Sequence, residues 1–186
     1  MALNLTKISS ARESKFHDLL RAQVRNELTA AQQYLAIAVW YDGHDLPRLA
    51  AHFYGQSREE RDHAMMIVQY LMDLGLPVAV PGVDEVRNDF AAPREPVALA
   101  LEQERTVTEQ VVALAKTARD EGDYLGEQFL QWFLKEQVEE VASMTTLLTV
   151  VDRAEGNLFH VENFLARETG GGDADPTAPR VAGGAL

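Results

Sequence analysis

Apolar residues recur at helical spacing over most of this chain, from about residue 10 to residue 153. Ala, Leu, Glu, Gln and Arg dominate this stretch, and the alternating β-branched residues that indicate strands are scarce. The pattern therefore predicts an all-α fold made of long amphipathic helices, and the breaks in the pattern mark where each helix begins and ends.

Glycines, prolines and capping residues divide this stretch into four long helices and a short fifth one. The first is predicted to start at a capping box in residues 10–13 and to end at Asp42-Gly43, where the glycine would supply a left-handed residue. The second is predicted to start at an acidic cap near Asp45-Leu46-Pro47. The other predicted bounds are Gly75 for the end of the second helix, Pro93 or Pro96 to Glu121 for the third, Gly122-Asp123 to about Arg153 for the fourth, and Gly156 before the fifth.

Residues 76–92 contain two prolines and a glycine, so they cannot form one more regular helix. Four apolar residues suggest that this segment lies on apolar surface: Val78, Val80, Val83 and Phe90. Fully extended it could reach roughly 56 Å, whereas a helix of about 28 residues is roughly 42 Å long. It can therefore return along a whole bundle, and the pattern predicts two helical hairpins joined by one long crossover.

Each long helix carries a metal-type ligand within its apolar stripe. The interrupting residues are Glu27 in the first helix, Glu60 and His63 in the second, Glu104 in the third, and Gln137 with Glu140 or Val141 in the fourth. Within each hairpin they lie at matched distances from the turn, although the stagger between the hairpins stays open. One unpaired carboxylate in a bundle core would cost several kcal/mol, and Lys and Arg are almost absent from the stripes. A shared metal cluster would compensate all of these residues together.

For any single position, ordinary structural explanations come first. An inward glutamate usually pairs with an arginine or snorkels to solvent, and Glu60-x-x-His63 alone favours neither reading. Tyr34 and Trp132 are more commonly packing residues than redox participants. The remaining histidines show no ligand spacing and are interpreted as surface or structural residues: His17, His44, His52 and His160. The coincidence on four helices is what favours a metal site.

Composition narrows the function classes further. The 186 residues are enough for one domain, and we divide them into an N-terminal arm (1–10), a helical domain (11–168) and a flexible Gly-, Ala-, Pro- and Asp-rich tail (169–186). The absence of cysteine excludes thiolate sites, so a metal needs oxygen and nitrogen ligands. The net charge of −12 argues against nucleic acid. No apolar run could span a membrane and no signal peptide is visible, so we expect a cytoplasmic protein.

Several segments resemble the haem-free ferritins of bacteria, and most closely those of actinobacteria. They are Asn26-Glu27-Leu28-Thr29-Ala30-Ala31-Gln32-Gln33-Tyr34, Glu59-Glu60-Arg61-Asp62-His63-Ala64, Glu104 with Thr108, Phe129-Leu130-Gln131-Trp132 through Glu136-Gln137-Val138-Glu139-Glu140, and the loop Pro81-Gly82-Val83-Asp84. The likeness covers about residues 15–168. It implies a ferritin-like four-helix bundle with one long crossover and a short fifth helix.

The resemblance also implies an activity and an assembly. A cage of 24 subunits would take up Fe(II), oxidise it with O₂ or H₂O₂ as a ferroxidase, and store a ferric oxide mineral. The implied ligands are Glu27, Glu60 and His63 for the first iron, with Glu60 bridging, Glu104 for the second with Gln137 close by, and Glu140 with Glu59, Glu136 and Glu139 for a third, weaker position. Tyr34 would lie beside the pair as an electron donor or hydrogen-bonding group.

Departures from related families add two expectations. The haem-containing bacterioferritins are recognised by a Glu-x-x-His motif on both the second and the fourth helix and by a methionine just after the bridging glutamate. Here Gln137-x-x-Glu140 and Arg61 stand at those positions, so we expect no haem. The fifth helix argues against the mini-ferritins that protect DNA.

Two other functions are compatible with parts of this pattern. The acidic stripes could be purely structural in a scaffold or in cargo that binds an encapsulating shell protein through the tail. A di-iron oxidase acting on an organic substrate would need a pocket and a reductase partner, for which the sequence has no signal. Glu127 is a weak candidate for a pore residue, and a solvated helix face explains it more simply.

Overall fold

The computed structural model describes residues 14–168 and 175–183, and within them the chain forms helices and loops without any strand. The helices are α1 (Lys15–Asp42), α2 (Pro47–Asp73), α3 (Arg94–Glu121), α4 (Tyr124–Arg153) and α5 (Leu158–Glu168). α1 packs against α2 and α3 packs against α4, which gives two helical hairpins. The hairpins contact each other through α1 and α3, and α5 contacts α2 and α4. The predicted all-α bundle with a long crossover and a short fifth helix is confirmed. In the described residues, every helix is too short or too polar to cross a bilayer.

Both ends of the first helix differ in detail from the prediction. α1 begins after Ser14, whose hydroxyl accepts a hydrogen bond of 3.2 Å from the backbone N–H of His17. The predicted capping box, residues 10–13, lies outside the described residues. Gly43 is right-handed, with φ −65°, and the left-handed residue of this turn is Asp45, with φ 57°. The prediction that Gly43 ends the helix in the left-handed conformation is therefore wrong.

A side chain from α5 closes the N-terminus of α2. The predicted acidic cap at Asp45 is wrong, because the N-cap is Leu46 and it makes no side-chain hydrogen bond. Instead the carboxylate of Glu162 accepts from the backbone N–H groups of Arg48 (2.9 Å) and Leu49 (3.0 Å). A carboxylate at this end also interacts favourably with the helix dipole. The short fifth helix therefore supplies the cap that the local sequence lacks.

Polar contacts with α1 hold the crossover, residues 76–92. Gln33 donates to the carbonyl of Arg87 and accepts from its N–H, both at 2.8 Å. Phe90 is buried, as predicted, and Val78 packs partly against the core. Val80 and Val83 are 77% and 45% exposed, so the prediction that they lie on apolar surface is wrong.

A segment of the C-terminal tail packs on α2 and α4. Trp132 Nε1 donates to Asp175 Oδ2 (3.1 Å), Arg180 pairs with Asp73 (2.7 Å), and the N–H of Ala182 donates to the carbonyl of Met65 (3.2 Å). Ala178, Val181 and Ala182 contact the apolar core. Composition predicted a flexible tail over 169–186, whereas residues 175–183 are docked.

The first turn of α4 requires a glycine. Gly126 is buried, and a Cβ placed there would lie 2.7 Å from Phe16 Cζ and closer still to Cε1. Phe16 is fully buried, so its ring has little room to move. We expect Gly126→Ala to destabilise the protein by roughly 1–3 kcal/mol because of overpacking. Guanidinium unfolding of the purified variant measures this.

Gly55→Ala is the matched control, because Gly55 also lies inside a helix. The nearest atom to its added Cβ is Arg58 Nη2 at 3.9 Å, an ordinary contact. We expect this change to be neutral or to stabilise by up to about 1 kcal/mol, since alanine favours helix. Equal stabilities of the two variants would contradict the packing argument.

Candidate metal centre

One polar layer crosses all four long helices between two apolar clusters. On one side the core contains Tyr34, Phe53, Val97 and Met144, and on the other Leu20, Ile67, Val111 and Leu130. The residues between them are buried, each at most 8% exposed: Glu27, Glu60, His63, Glu104, Gln137 and Glu140. The two hairpins therefore bring their polar positions to the same level, which settles the stagger left open above.

Glu27, Glu60 and His63 converge most tightly. Each offers one ligand atom, and these atoms all lie within 4.8 Å of one another. His63 Nδ1 lies 3.4 Å from Glu60 Oε2. The ring of His63 is held edge-on by Trp132 and Phe133, with centroids 5.5 and 5.8 Å away. Two oxygens and one imidazole at this spacing form a donor set that suits a divalent transition metal.

Glu104 approaches this group from α3. The hydroxyl of Tyr34 donates a hydrogen bond to Glu104 Oε1. One turn along α3, the hydroxyl of Thr108 lies 2.7 Å from the Glu104 carbonyl oxygen and 2.9 Å from Gln137 Oε1. Tyr34 and Thr108 thus tie the ligand-type residues of α1, α3 and α4 to one another.

Three carboxylate oxygens in this layer lack a hydrogen-bond partner. They are Glu27 Oε2, Glu60 Oε2 and Glu104 Oε2, all inaccessible to solvent. Among the ion pairs of residues 14–168 and 175–183, none brings a lysine or arginine to these glutamates. Leaving such oxygens unpaired is costly, so the chemistry of the site fits a bound cation.

Burial shifts the acid–base equilibria of the layer. Loss of solvent, followed by repulsion from Glu60, raises the pKa of Glu27 well above its usual value. Burial likewise raises the pKa of Glu60, with repulsion from Glu104 second, and burial raises the pKa of Glu104. The pKa of Glu140 rises to about 8, mainly through burial. Without a cation, burial therefore favours the protonated form of these carboxyls.

The residues predicted for a third metal position are spread more widely. Glu140 is buried, burial raises the pKa of half-buried Glu136, and Glu59 is exposed and accepts a hydrogen bond from Gln56. Glu139 is exposed and lies 3.8 Å from Lys135. Repulsion from Glu59 and Glu136 contributes to the raised pKa of Glu140, so these three are electrostatic neighbours. In the described residues, Glu27, Glu60 and His63 are the only three histidine or acidic residues whose ligand atoms all lie within 4.8 Å of one another.

Glu127 and the histidines without ligand spacing lie outside the layer. His17 is buried 3.6 Å from Asp123, His44 stacks on Trp40, and burial lowers the pKa of His52 to about 4. Glu127, the weak pore candidate, accepts a hydrogen bond of 2.9 Å from Arg119.

Gln23 is a further buried polar residue beside the site, and it is not among the residues predicted from the sequence. This residue is 2% exposed and donates to Glu27 Oε1 at 2.9 Å. Its position four residues before Glu27, on the same face of α1, is the signal that could have identified it.

The chain is similar in sequence and fold to known proteins of one family. Residues 17–154 match the family model described as a ferritin-like domain. The chain is 65% identical over 178 residues to Ferritin BfrB of Mycolicibacterium smegmatis, covering 96% of this chain and 98% of the relative. A protein of Mycobacterium tuberculosis, named Ferritin BfrB in some strains and Bacterioferritin BfrB in another, is 62% identical over 174 residues, with coverages of 94% and 96%. The open pore ferritin of Archaeoglobus fulgidus superposes with a TM-score of 0.80 and 25% identity, over 84% of this chain and 97% of that one.

Proposed function

Because this chain belongs to the ferritin family, we propose that it stores iron in the cytoplasm by oxidising Fe(II) to Fe(III) at a di-iron ferroxidase centre inside each subunit. Iron is the substrate, O₂ or H₂O₂ the oxidant, and a ferric oxide mineral the stored product. The observation that carries the proposal is the set of three buried glutamate oxygens without a hydrogen-bond partner, next to His63 and without a lysine or arginine in ion-pair contact in the described chain. Bound iron would neutralise them.

The donors divide between two iron positions. Glu27 and His63 would bind the first Fe(II), Glu60 would bridge, and Glu104 would bind the second, with Gln137 beside it. Hard oxygen ligands with one imidazole bind Fe(II) and stabilise Fe(III) still more, which favours oxidation. Two irons give up two electrons together, enough to reduce O₂ to H₂O₂ or H₂O₂ to water with two protons. The raised pKa values mean that the glutamic acids release protons when iron binds.

Other residues would support turnover. The uncharged amide of Gln137 lowers the negative charge of the layer, which helps Fe(III) to leave for the cavity. Tyr34, through its hydrogen bond to Glu104, would orient that ligand or donate an electron. Glu140, with Glu59, Glu136 and Glu139, would form the third and weaker iron position on the way out.

Anomalous scattering at the iron edge tests the site directly. Crystals soaked anaerobically in ferrous salt should show one peak among Glu27, Glu60 and His63 and a second between Glu60 and Glu104. Soaked crystals of Glu109→Ala, a change at an exposed residue of α3, should show the same peaks. Absence of both peaks, or carboxylates turned toward solvent, would reject the di-iron centre.

We further propose a cage of 24 subunits. Large apolar side chains stand out from the bundle, among them Tyr124, Leu125, Val138 and Phe159, each more than 70% exposed. Contacts with neighbouring subunits would bury such side chains. Light scattering after gel filtration should give about 500 kDa, 24 times 20.7 kDa. A small particle that takes up no metal would instead favour the purely structural function.

We propose that the protein holds no haem. The residue after Glu60 is Arg61, at the position where the bacterioferritins are expected to carry methionine. Arg61 is exposed and lies 3.6 Å from Asp62. The names of the relatives do not decide the matter, because one and the same protein is called ferritin and bacterioferritin. Protein made in cells supplied with a haem precursor should lack a Soret band, and a stoichiometric band would overturn this expectation.

The tail is a weak candidate for docking to an encapsulating shell. Asp175, Arg180 and Ala182 already bond to the bundle of their own chain. These contacts favour a role for residues 175–183 within the subunit.

A further inference from the structure

Gln23 is a polar residue in the apolar interior that the proposed iron ligands do not include. It lies on α1 one turn before Glu27 and is only 2% exposed. A buried amide is tolerated only when its donors and acceptor are paired, and the pairing also fixes the direction in which it points.

Partners on two helices fix the amide of Gln23. Its Nε2 donates to Glu27 Oε1 at 2.9 Å and to Gln110 Oε1 of α3 at 3.1 Å. Its Oε1 accepts from Asn26 Nδ2 at 3.0 Å. Both N–H groups and the carbonyl oxygen are therefore engaged, and the amide cannot turn over without breaking three hydrogen bonds.

As a consequence, the two carboxylate oxygens of Glu27 differ in their hydrogen bonding. Oε1 is occupied by Gln23, while Oε2 is buried and has no hydrogen-bond partner. The hydrogen bond from Gln23 therefore restrains Glu27 and leaves Oε2 in the layer that contains Glu60 and His63.

We propose that Gln23 is a positioning residue that presents Glu27 to iron through Oε2 and that Gln110 acts through Gln23 as its anchor. This inference rests on the proposed function, because it assigns a role at the same centre. Groups that hold a metal ligand through a hydrogen bond typically change metal affinity or activity by 10- to 100-fold. Gln23 makes no contact with iron in this scheme and is not a catalytic residue.

Gln23→Met tests the inference, since it keeps the length of the side chain and removes the amide. We expect Fe(II) to bind the first site about 10- to 100-fold more weakly in anaerobic calorimetry. In aerobic stopped-flow, the KM for Fe(II) should rise by a similar factor, with a smaller change in the rate at saturation.

Gln33→Met is the matched control. Gln33 is a second buried glutamine of α1, and it bonds to the backbone of Arg87 in the crossover instead of to a site residue. Gln33→Met should leave Fe(II) affinity and KM unchanged even if it lowers the melting temperature. A loss of affinity equal to that of Gln23→Met would mean that any buried glutamine of α1 matters structurally, which would overturn the positioning role.

A double-mutant cycle gives a second readout. Gln110 is only half-buried on α3, so Gln110→Leu should fold and should weaken Fe(II) binding less than Gln23→Met does. Because Gln110 would act only through Gln23, the double variant should bind no worse than Gln23→Met alone. Additive losses would overturn the role of Gln110 as the anchor of Gln23.

The same titrations distinguish failure of the positioning role of Gln23 from failure of the proposed iron-binding function. Wild-type protein that binds no Fe(II) at the layer would reject both. Wild-type protein that binds and oxidises Fe(II), with Gln23→Met binding equally well, would reject the positioning role alone.

Discussion

Replacing Glu60 with alanine is expected to abolish the fast ferric phase that follows mixing of Fe(II) with aerobic protein. In the proposed centre Glu60 is the residue best placed to touch both irons, since it lies against Glu27 and His63 and since burial, followed by repulsion from Glu104, raises its pKa. In the proposed centre its removal would take away a shared ligand and would leave two like-charged metal ions without a bridge. We expect the initial rate of absorbance growth in the near ultraviolet to fall by at least about 100-fold, beyond the usual effect of changing a supporting group.

Two controls make this result specific. Glu109→Ala removes an exposed glutamate from α3 and should keep the wild-type rate. Circular dichroism and gel filtration should show that Glu60→Ala keeps its helices and its assembly, since deletion of a buried acid relieves an unfavourable group. Unchanged kinetics in a folded Glu60→Ala variant would exclude the proposed centre.

The iron-free protein is expected to lose stability as the pH rises from 5 to 8. Burial raises the pKa of Glu27, Glu60 and Glu104, while the same residues ionise near pH 4.5 in the unfolded chain. Above pH 4.5 and up to its raised pKa, each of these carboxyls keeps its proton in the folded protein and loses it in the unfolded chain, so the free energy of unfolding falls with increasing pH. For Glu140, whose pKa is also raised by burial, this range extends to about 8. Each carboxyl that stays protonated contributes a loss of roughly 1.4 kcal/mol per pH unit. Guanidinium unfolding at a series of pH values measures the slope.

Neutral variants should flatten this dependence. Glu27→Gln keeps the shape of the side chain without its titration, so it should be more stable than wild type at pH 8 and equal to it near pH 5. Glu109→Gln, at an exposed position, should follow the wild-type curve. Zn²⁺, which has no redox chemistry, should restore stability more at pH 8 than at pH 5, because the carboxylates must lose protons to bind it. A flat or rising wild-type curve would contradict the raised pKa values.

Local periodicity was enough to locate the helices and the polar residues inside their apolar stripes. Glu27, Glu60, His63 and Glu104 were predicted to point inward from spacing alone, and all four are buried. This works because helical facing depends on neighbours within two turns along the chain. Depth within each hairpin was also readable, since a short turn fixes which residues of two antiparallel helices lie side by side.

Features that depend on residues distant in sequence were out of reach. The equal height of the two hairpins, the cap that Glu162 places on α2 and the contact between Trp132 and Asp175 each join separate parts of the chain. Composition predicts a flexible tail because residues 169–186 contain few apolar side chains, whereas the apolar face of α2 and α4 that receives some of them exists only in the folded bundle.

Ambiguity between local signals explains the smaller differences. Glycine is the usual left-handed residue after a helix, although Asp45 holds that conformation in the turn after α1. The role of Gln23 needed both kinds of information. Its position one turn from Glu27 can be read from the sequence. Only the packing of α3 against α1 brings Gln110 to its amide, and this contact fixes the amide so that Gln23 can support Glu27 in the proposed centre.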